Sequence, residues 1–169
     1  MLYDITQLTS DDTGILDEWY THAVNSPSVS RYLGIAGYNT PISMPESDWD
    51  GMVFMDDSHN GIIKLYFDHE VNTATFGIWV LPTPRRTDIA RDLMGVALGK
   101  LTQLPNMKYL ASRVQSTNDH GNNFSIRYLG TPWGREPRGA YDRVTKVWVA
   151  MNHYKSTITE VQQRLRDIS

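Results

Sequence analysis

Apolar and polar residues alternate along Leu2–Leu8, the period of a strand with one buried face. Thr9-Ser10-Asp11-Asp12 then offers helix-capping side chains. Ile15, Trp19 and His22 recur near helical spacing, which predicts a helix over Thr13–Asn25, ended by Ser26-Pro27. A second short helix is predicted over Pro27–Ile35. Gly37–Asp48, with Pro41 and Pro45 among small polar residues, reads as a loop. Three strands follow at Trp49–Met55, Ile62–Asp68 and Thr73–Leu81. The turn between the first two ends in Asn60-Gly61, a pair that supplies the positive φ of a tight hairpin, and His69–Asn72 is the next turn. These strands form an antiparallel meander.

In the second half, Ile89, Leu93, Val96, Ala97, Leu101 and Leu104 fit one helical face and predict a helix over Thr87–Leu104, ended by Pro105-Asn106. Lys108–Gln115 alternates as a strand. Ser116–Asn122 is polar and loop-like. Asn123–Leu129 is a short helix stopped by Gly130 and Pro132, and Gly134–Asp142 is either turn or strand. Arg143–Met151 reads as a strand and Ser156–Ile168 as a charged amphipathic helix. The order is strand, two helices, three strands, helix, strand, helix, strand, helix. It predicts one α/β domain over residues 1–169 with a mixed, mostly antiparallel sheet flanked by helices.

Composition narrows the chemistry. The 169 residues hold no cysteine, which removes disulfides, thiolate nucleophiles and Cys-type zinc sites. The five histidines show no metal-ligand spacing, so no metal is expected. A net charge of −3 argues against holding nucleic acid by bulk electrostatics. No apolar run approaches the roughly 20 residues of a membrane span. The N-terminal MLYDITQLTSDD lacks a basic and then apolar leader. A cytoplasmic, soluble protein is the expectation. Trp19, Trp49, Trp79, Trp133 and Trp148 read as core residues, although Trp133 and Tyr141 also suit an acceptor pocket or partner surface. Arg127, Arg135, Arg138, Arg143 and Lys146 make one locally basic region, read either as a solvated face or as a contact for an acidic partner or phosphate.

The richest stretch for function is Thr73–Leu104. An apolar strand runs through a Pro- and Arg-containing turn straight into a helix. The first amides of a helix lack partners within it and carry the positive end of its dipole. With Arg85 and Arg86 beside them, they form a plausible seat for a phosphate or pyrophosphate.

Trp79-Val80-Leu81-Pro82 followed by Arg85-Arg86-Thr87-Asp88-Ile89-Ala90 resembles the pyrophosphate loop of the GNAT superfamily of acyl-CoA N-acyltransferases. That loop is written Arg or Gln, two residues, Gly, one residue, Gly or Ala. Arg85 and Ala90 match its ends. Asp88 stands where the middle Gly is expected, either facing the pyrophosphate or capping the helix. Asn122-Asn123-Phe124-Ser125-Ile126-Arg127-Tyr128-Leu129 resembles the family's Asn-x-x-Ala/Ser helix, which lies along the pantetheine arm. In the family that helix often carries a Tyr that protonates the departing thiolate. The matching position is Leu129, with Tyr128 one residue early, a turn of about 100° on a helix. The same helix is similar to that of small GNAT-like proteins of tailed bacteriophages, some of which serve the virion or its assembly.

The resemblance implies a GNAT-like sheet, acetyl-CoA or another acyl-CoA as co-substrate, and an amine acceptor on a small molecule or protein. It implies that Arg86–Ala90 amides hold the pyrophosphate, and that a strand amide near Trp79, Val80 or Leu81 steadies the thioester oxygen. Asn122 and Ser125 fall on the pantetheine helix and Tyr128 nearest the thiolate acid. For the base that takes the amine's proton, the strand offers no acid. Glu70, Asp68 and His69 in the preceding turn, His120, or a water held by Ser112, Ser116 or Asn118 are the candidates. Two readings stand side by side: an active N-acyltransferase, or a GNAT-fold protein that works by binding a protein partner or a second copy of itself.

Overall fold

The structure is a computed structural model that describes residues 4–32 and 42–168. Seven strands form one sheet in the order β1-β2-β3-β4-β5-β7-β6. They are β1 (Ile5–Leu8), β2 (Gly51–Asp56), β3 (Gly61–Asp68), β4 (Thr73–Val80), β5 (Tyr109–Gln115), β6 (Gly134–Asp142) and β7 (Val147–Thr157). The helices are α1 (Thr13–Val24), α2 (Pro27–Ser30), α3 (Arg86–Leu101), α4 (Asp119–Leu129) and α5 (Ile158–Ile168). Every neighbouring pair of strands is antiparallel except β4 and β5. The mostly antiparallel α/β sheet expected from the sequence is therefore present.

Strand alternation divides the core into two. On one face Phe54, Ile63, Leu65, Phe76 and Leu110 pack beneath α3, α4 and α5, whose contributions include Leu93, Leu129 and Val161. On the other, Val53, Met55 and Ile62 meet Leu16, Trp19 and Ala23 of α1. Each fully buried side chain of this size stabilises the fold by about 1.5–3 kcal/mol relative to exposure.

One irregularity positions everything that follows. β4 pairs with β3 along its full length, from Thr73↔Asp68 to Val80↔Gly61. β5 pairs with β7 from Tyr109↔Thr157 to Gln115↔Met151. Between β4 and β5, pairing covers only Thr73–Thr75 against Tyr109–Ala111. Beyond Thr75 each strand follows its other neighbour, and the sheet splits.

Several boundaries differ from the sequence reading, for local reasons. Arg143–Lys146 is a turn, not the start of a strand: the Asp142 carboxylate accepts the Val144 amide at 2.9 Å, and Lys146 takes φ +58. β7 then runs to Thr157, because pairing with β5 keeps it extended, and α5 starts at Ile158 instead of Ser156. Gly134–Asp142 is a strand, with a bulge between Glu136 and Ala140. α4 begins at Asp119, four residues ahead of the expected Asn123, because the Asn118 side chain accepts from the Gly121 amide at 3.0 Å and caps the helix. α3 ends at Leu101, short of Leu104. In the β2–β3 hairpin the positive φ falls on His59, not on Asn60-Gly61, and Asp56 gathers the Asn60 and Gly61 amides at 3.0 and 2.6 Å. Of the five tryptophans, Trp19 is a core residue, whereas Trp49, Trp133 and Trp148 are 64%, 69% and 43% exposed. The expectations for Leu2, Tyr3 and residues 33–41 lie outside the described residues. Among the described residues no helix is long and apolar enough to cross a membrane.

Candidate active site

The split between β4 and β5 opens two connected hollows. The first, a cleft of about 680 Å³, lies at the helix end, walled by α2, the end of β4, the start of α3 and the start of α4. The second, a cavity of about 650 Å³, lies on the α1 face of the sheet, between β3, β4, β5 and β6. Both volumes fall in the range of small-ligand sites. Tyr32, Ile78, Trp79 and Phe124 line both, so the hollows communicate through the split.

The edge of the split is polar backbone. The Leu81 amide donates to the Asn60 carbonyl at 2.8 Å on the β3 side. Strand alternation then turns the Ile78 and Val80 amides toward β5. Past Thr75 no β5 residue pairs with them. Trp79 folds back on Gly77, where an added Cβ would lie 2.3 Å from the indole ring. The missing side chain at Gly77 is what lets the indole lie along the strand.

α3 starts next to this edge. Its cap residue is Arg85, whose side chain caps nothing; the Arg86 amide donates to the Thr83 carbonyl at 3.2 Å, which leaves the Thr87 and Asp88 amides for an external acceptor. Arg86, Thr87 and Ala90 face the helix-end cleft. Burial pulls the Arg86 pKa below its ordinary value, and no carboxylate pairs with it among the described residues. Arg127 and His120 of α4 line the same cleft.

The opposite wall is fixed by an ion pair. The Arg31 guanidinium grips the fully buried Asp142 with two nitrogens, Nε at 3.1 Å and Nη2 in closer contact. Arg31 holds the Asp142 carboxyl at about 2, well below the usual carboxylate range. Arg143 Nη1 donates to the Ser30 carbonyl at 2.7 Å, and the Tyr32 hydroxyl donates to the Thr117 carbonyl at 3.0 Å. Together they pin the β6–β7 turn and the start of α4 against α2.

Some residues singled out from the sequence meet at these hollows and others do not. Trp79, Val80, Arg86, Thr87 and Ala90 line the helix-end cleft, and Ser125 lines the sheet-face cavity. Leu81, Arg85, Asp88, Ile89, Asn122, Tyr128 and Glu70 line neither. Ile89 belongs to the core. Asp88 is the third residue of α3, makes no capping bond, and pairs with Arg91 at 3.7 Å. Asn122 is a knot between elements: its amide donates to the Gln115 and Asn118 carbonyls, and its oxygen accepts from Asn152 and the Tyr154 hydroxyl. Tyr128 is 1% exposed, its ring against Phe124 at 4.6 Å, and burial raises its pKa. Glu70 is exposed in the turn between β3 and β4. Of the proposed water-holding residues, Ser112 and Asn118 line the sheet-face cavity, and Ser112 Oγ lies 2.8 Å from Ser125 Oγ.

Sequence reasoning passed over Lys64, Tyr66 and Arg113, which line the sheet-face cavity. The signal for Lys64 was present: a lysine in the middle of GIIKLYFD, an otherwise apolar strand, is an unusual occupant of a buried position. Among the described residues no group of three or more His, Asp or Glu is placed to hold a metal ion.

With this geometry in view, comparison with known proteins locates the fold. No family model matches the sequence, and no curated protein matches it. Solved structures do. A GNAT-family acetyltransferase from Streptococcus pneumoniae superposes with a TM-score of 0.71 at 14% identity, over 91% of this chain and 98% of that one. Spermidine N-acetyltransferase from Vibrio cholerae, in complex with CoA and spermine, gives 0.70 at 14% identity, over 94% and 97%. An N-acetyltransferase from Staphylococcus aureus Mu50 gives 0.68 at 14% identity, over 94% and 99%. The chain has the single-domain fold of the GNAT acetyltransferases, over almost its whole length.

Proposed function

We propose that this protein is an acyl-CoA-dependent N-acyltransferase, transferring an acetyl group to an amine. The observation that carries the reading is the split: β4 and β5 part after Thr75, and the opening leads from free strand amides to an uncapped helix start. The shared fold supports it, and so does the CoA in the Vibrio cholerae structure.

The residues present fit an acyl-CoA. The Thr87 and Asp88 amides at the start of α3 and the Arg86 guanidinium suit a pyrophosphate, since backbone N–H groups and the dipole both favour an anion there. The Ile78 and Val80 amides suit an extended amide-bearing arm, which would take the place of the missing β5 neighbour. Bound acyl-CoA supplies an activated thioester. This chain's part is to hold it in line with the amine and to aim a β4 amide at its carbonyl oxygen. No carboxylate and no histidine lines the sheet-face cavity among the described residues, so as the C–N bond forms and the C–S bond breaks, the amine's proton leaves through water beside Ser112 and Asn118, and the departing CoA thiolate takes its proton from water. Glu70 and Tyr128, outside both hollows, take no part in proton transfer in this proposal.

Titration calorimetry with CoA and acetyl-CoA tests the reading. A Kd between about 1 μM and 1 mM, the ordinary range of KM values, is expected. No heat at millimolar ligand would remove the proposal. Binding without release of free thiol on a broad amine panel would favour the alternative, a fold retained for binding a partner.

A further inference from the structure

The sheet-face cavity carries an unusual charge pattern. Lys64, at the middle of β3, is 5% exposed. Its ammonium donates to the Ser43 carbonyl and to Ser43 Oγ, and sits 4.7 Å from the centre of the Tyr66 ring. Those partners are neutral: no carboxylate pairs with Lys64 among the described residues. Arg113 lies on the same face of the sheet. It alternates on β5 with the buried Ser112 and Val114, is exposed, and lines the same cavity. Its charge is felt at the Tyr66 hydroxyl. Against these two cations the cavity lining includes no Asp, Glu or His. Among the described residues the single carboxylate lining either hollow, Asp119, belongs to the helix-end cleft. Residues 33–41, LGIAGYNTP, contain no acid that could alter this balance.

We propose that this cavity receives the acceptor, and that the acceptor is an amine bearing its own anion, a carboxylate or a phosphate, which Lys64 and Arg113 hold while the nitrogen faces the split. The inference rests on the acyltransferase reading and names the substrate class of the same site. A buried cation with only neutral partners is costly, and an anion brought by the ligand offsets that cost. The burial of Lys64 also depresses its pKa, the same preference seen from the proton's side. A polyamine would meet the reverse: two like charges and no carboxylate to answer its own. The Vibrio cholerae enzyme is solved with spermine, a polycation, whereas the cavity of this chain presents two cations and no carboxylate among the described residues. Tyr66 and Tyr141 give the cavity aromatic walls and Gln115 a neutral polar contact, so the ligand's anion is the feature that selects it.

The test reads binding apart from turnover. The CoA-bound protein is titrated with N-acetylglycine, N-acetylphosphoethanolamine, the uncharged N-acetylglycinamide and N-acetylspermidine. At least one of the two anions should bind roughly 10- to 100-fold more tightly than the amide, the worth of one or two hydrogen bonds to a charged group. The anion that wins separates carboxylate from phosphate, and N-acetylspermidine should bind weakest. Lys64→Met and Arg113→Gln should each cut the preference about tenfold. Arg113 is exposed, so that variant carries the test even where Lys64→Met fails to fold. Equal binding of acid and amide, tightest binding of N-acetylspermidine, or a preference that survives Arg113→Gln together with any folded Lys64→Met overturns the inference and leaves the acyltransferase reading standing. Failure to bind CoA overturns both.

Discussion

The two hollows that meet at the β4–β5 split are made of different material. The helix-end cleft presents main chain: strand amides released where β5 departs, and helix amides left uncapped at α3, with Arg86 among them. The sheet-face cavity presents side chains drawn from β3, β4, β5 and β6, among them Lys64, Tyr66, Arg113 and Tyr141. A backbone cradle recognises what is common to every acyl-CoA, an amide-bearing arm and a pyrophosphate. A side-chain cavity can change from one protein to the next without disturbing the sheet, because strand pairing is indifferent to what its outward side chains carry. Under the proposed acyltransferase function, the difference teaches how one fold would keep its donor and vary its acceptor.

The wall shared by both hollows is where the comparison breaks most readily. Gly77→Ala places a Cβ 2.3 Å from the present Trp79 ring, so the indole must leave the strand. Trp79 lines both hollows, and its displacement should disturb donor and acceptor together. We expect kcat/KM to fall by roughly 100-fold, the cost of misplacing bound groups by about 1 Å. Gly77 has no positive φ among the described residues, so the substitution brings no backbone strain, and cooperative melting should persist. Unchanged kinetics would show that the indole is no common wall.

The same division explains what was legible in the chain. Backbone devices leave local marks. The turn Pro82–Arg85 between an apolar strand and a helix with apolar residues every three or four positions announced the α3 cradle from sequence alone. The split itself left none, since it arises from β5 pairing with β7 over seven residues and with β4 over three, a long-range choice. The sheet-face cavity assembles Lys64, Arg113 and Tyr141 from positions nearly eighty residues apart, and no local spacing connects them. Lys64 could have been flagged by its apolar neighbours, yet nothing local says what it faces. Misplaced boundaries share a cause: polar side chains that cap or turn the chain, such as Asn118 at α4 and Asp142 before β7, act through single hydrogen bonds that periodicity does not register.

Arg86→Ala sharpens the comparison by touching one hollow only. The guanidinium is half-buried at the helix-end cleft, and no carboxylate pairs with it among the described residues. Removing it should weaken CoA about tenfold, the value of one charge-assisted contact. Acetyl-pantetheine, which lacks the pyrophosphate, should bind as before, and so should an N-acetylated anion in the sheet-face cavity. Equal losses for CoA and acetyl-pantetheine would place Arg86 on the arm instead of the phosphates.

The smallest effect is expected where the sequence departs most from the GNAT loop. Asp88 stands where the resemblance to that loop expects the middle glycine, and a carboxylate aimed at a dianionic pyrophosphate would oppose binding. The structure turns it elsewhere: its side chain is 39% exposed and pairs with Arg91, the next residue on that face of α3. A pair that open to solvent contributes at most about 1 kcal/mol, and an acid in the first helical turn adds a few tenths through the dipole. Asp88→Gly should therefore cost about 1 kcal/mol of stability, read from the shift in urea midpoint, most of it from glycine's freedom in the unfolded chain. CoA affinity should move by less than about threefold, since removing one exposed charge a turn away alters a screened interaction only slightly. A tenfold tightening on removal of the carboxylate would mean that Asp88 swings into the cleft when the pyrophosphate arrives, and that this chain keeps a built-in brake on its donor.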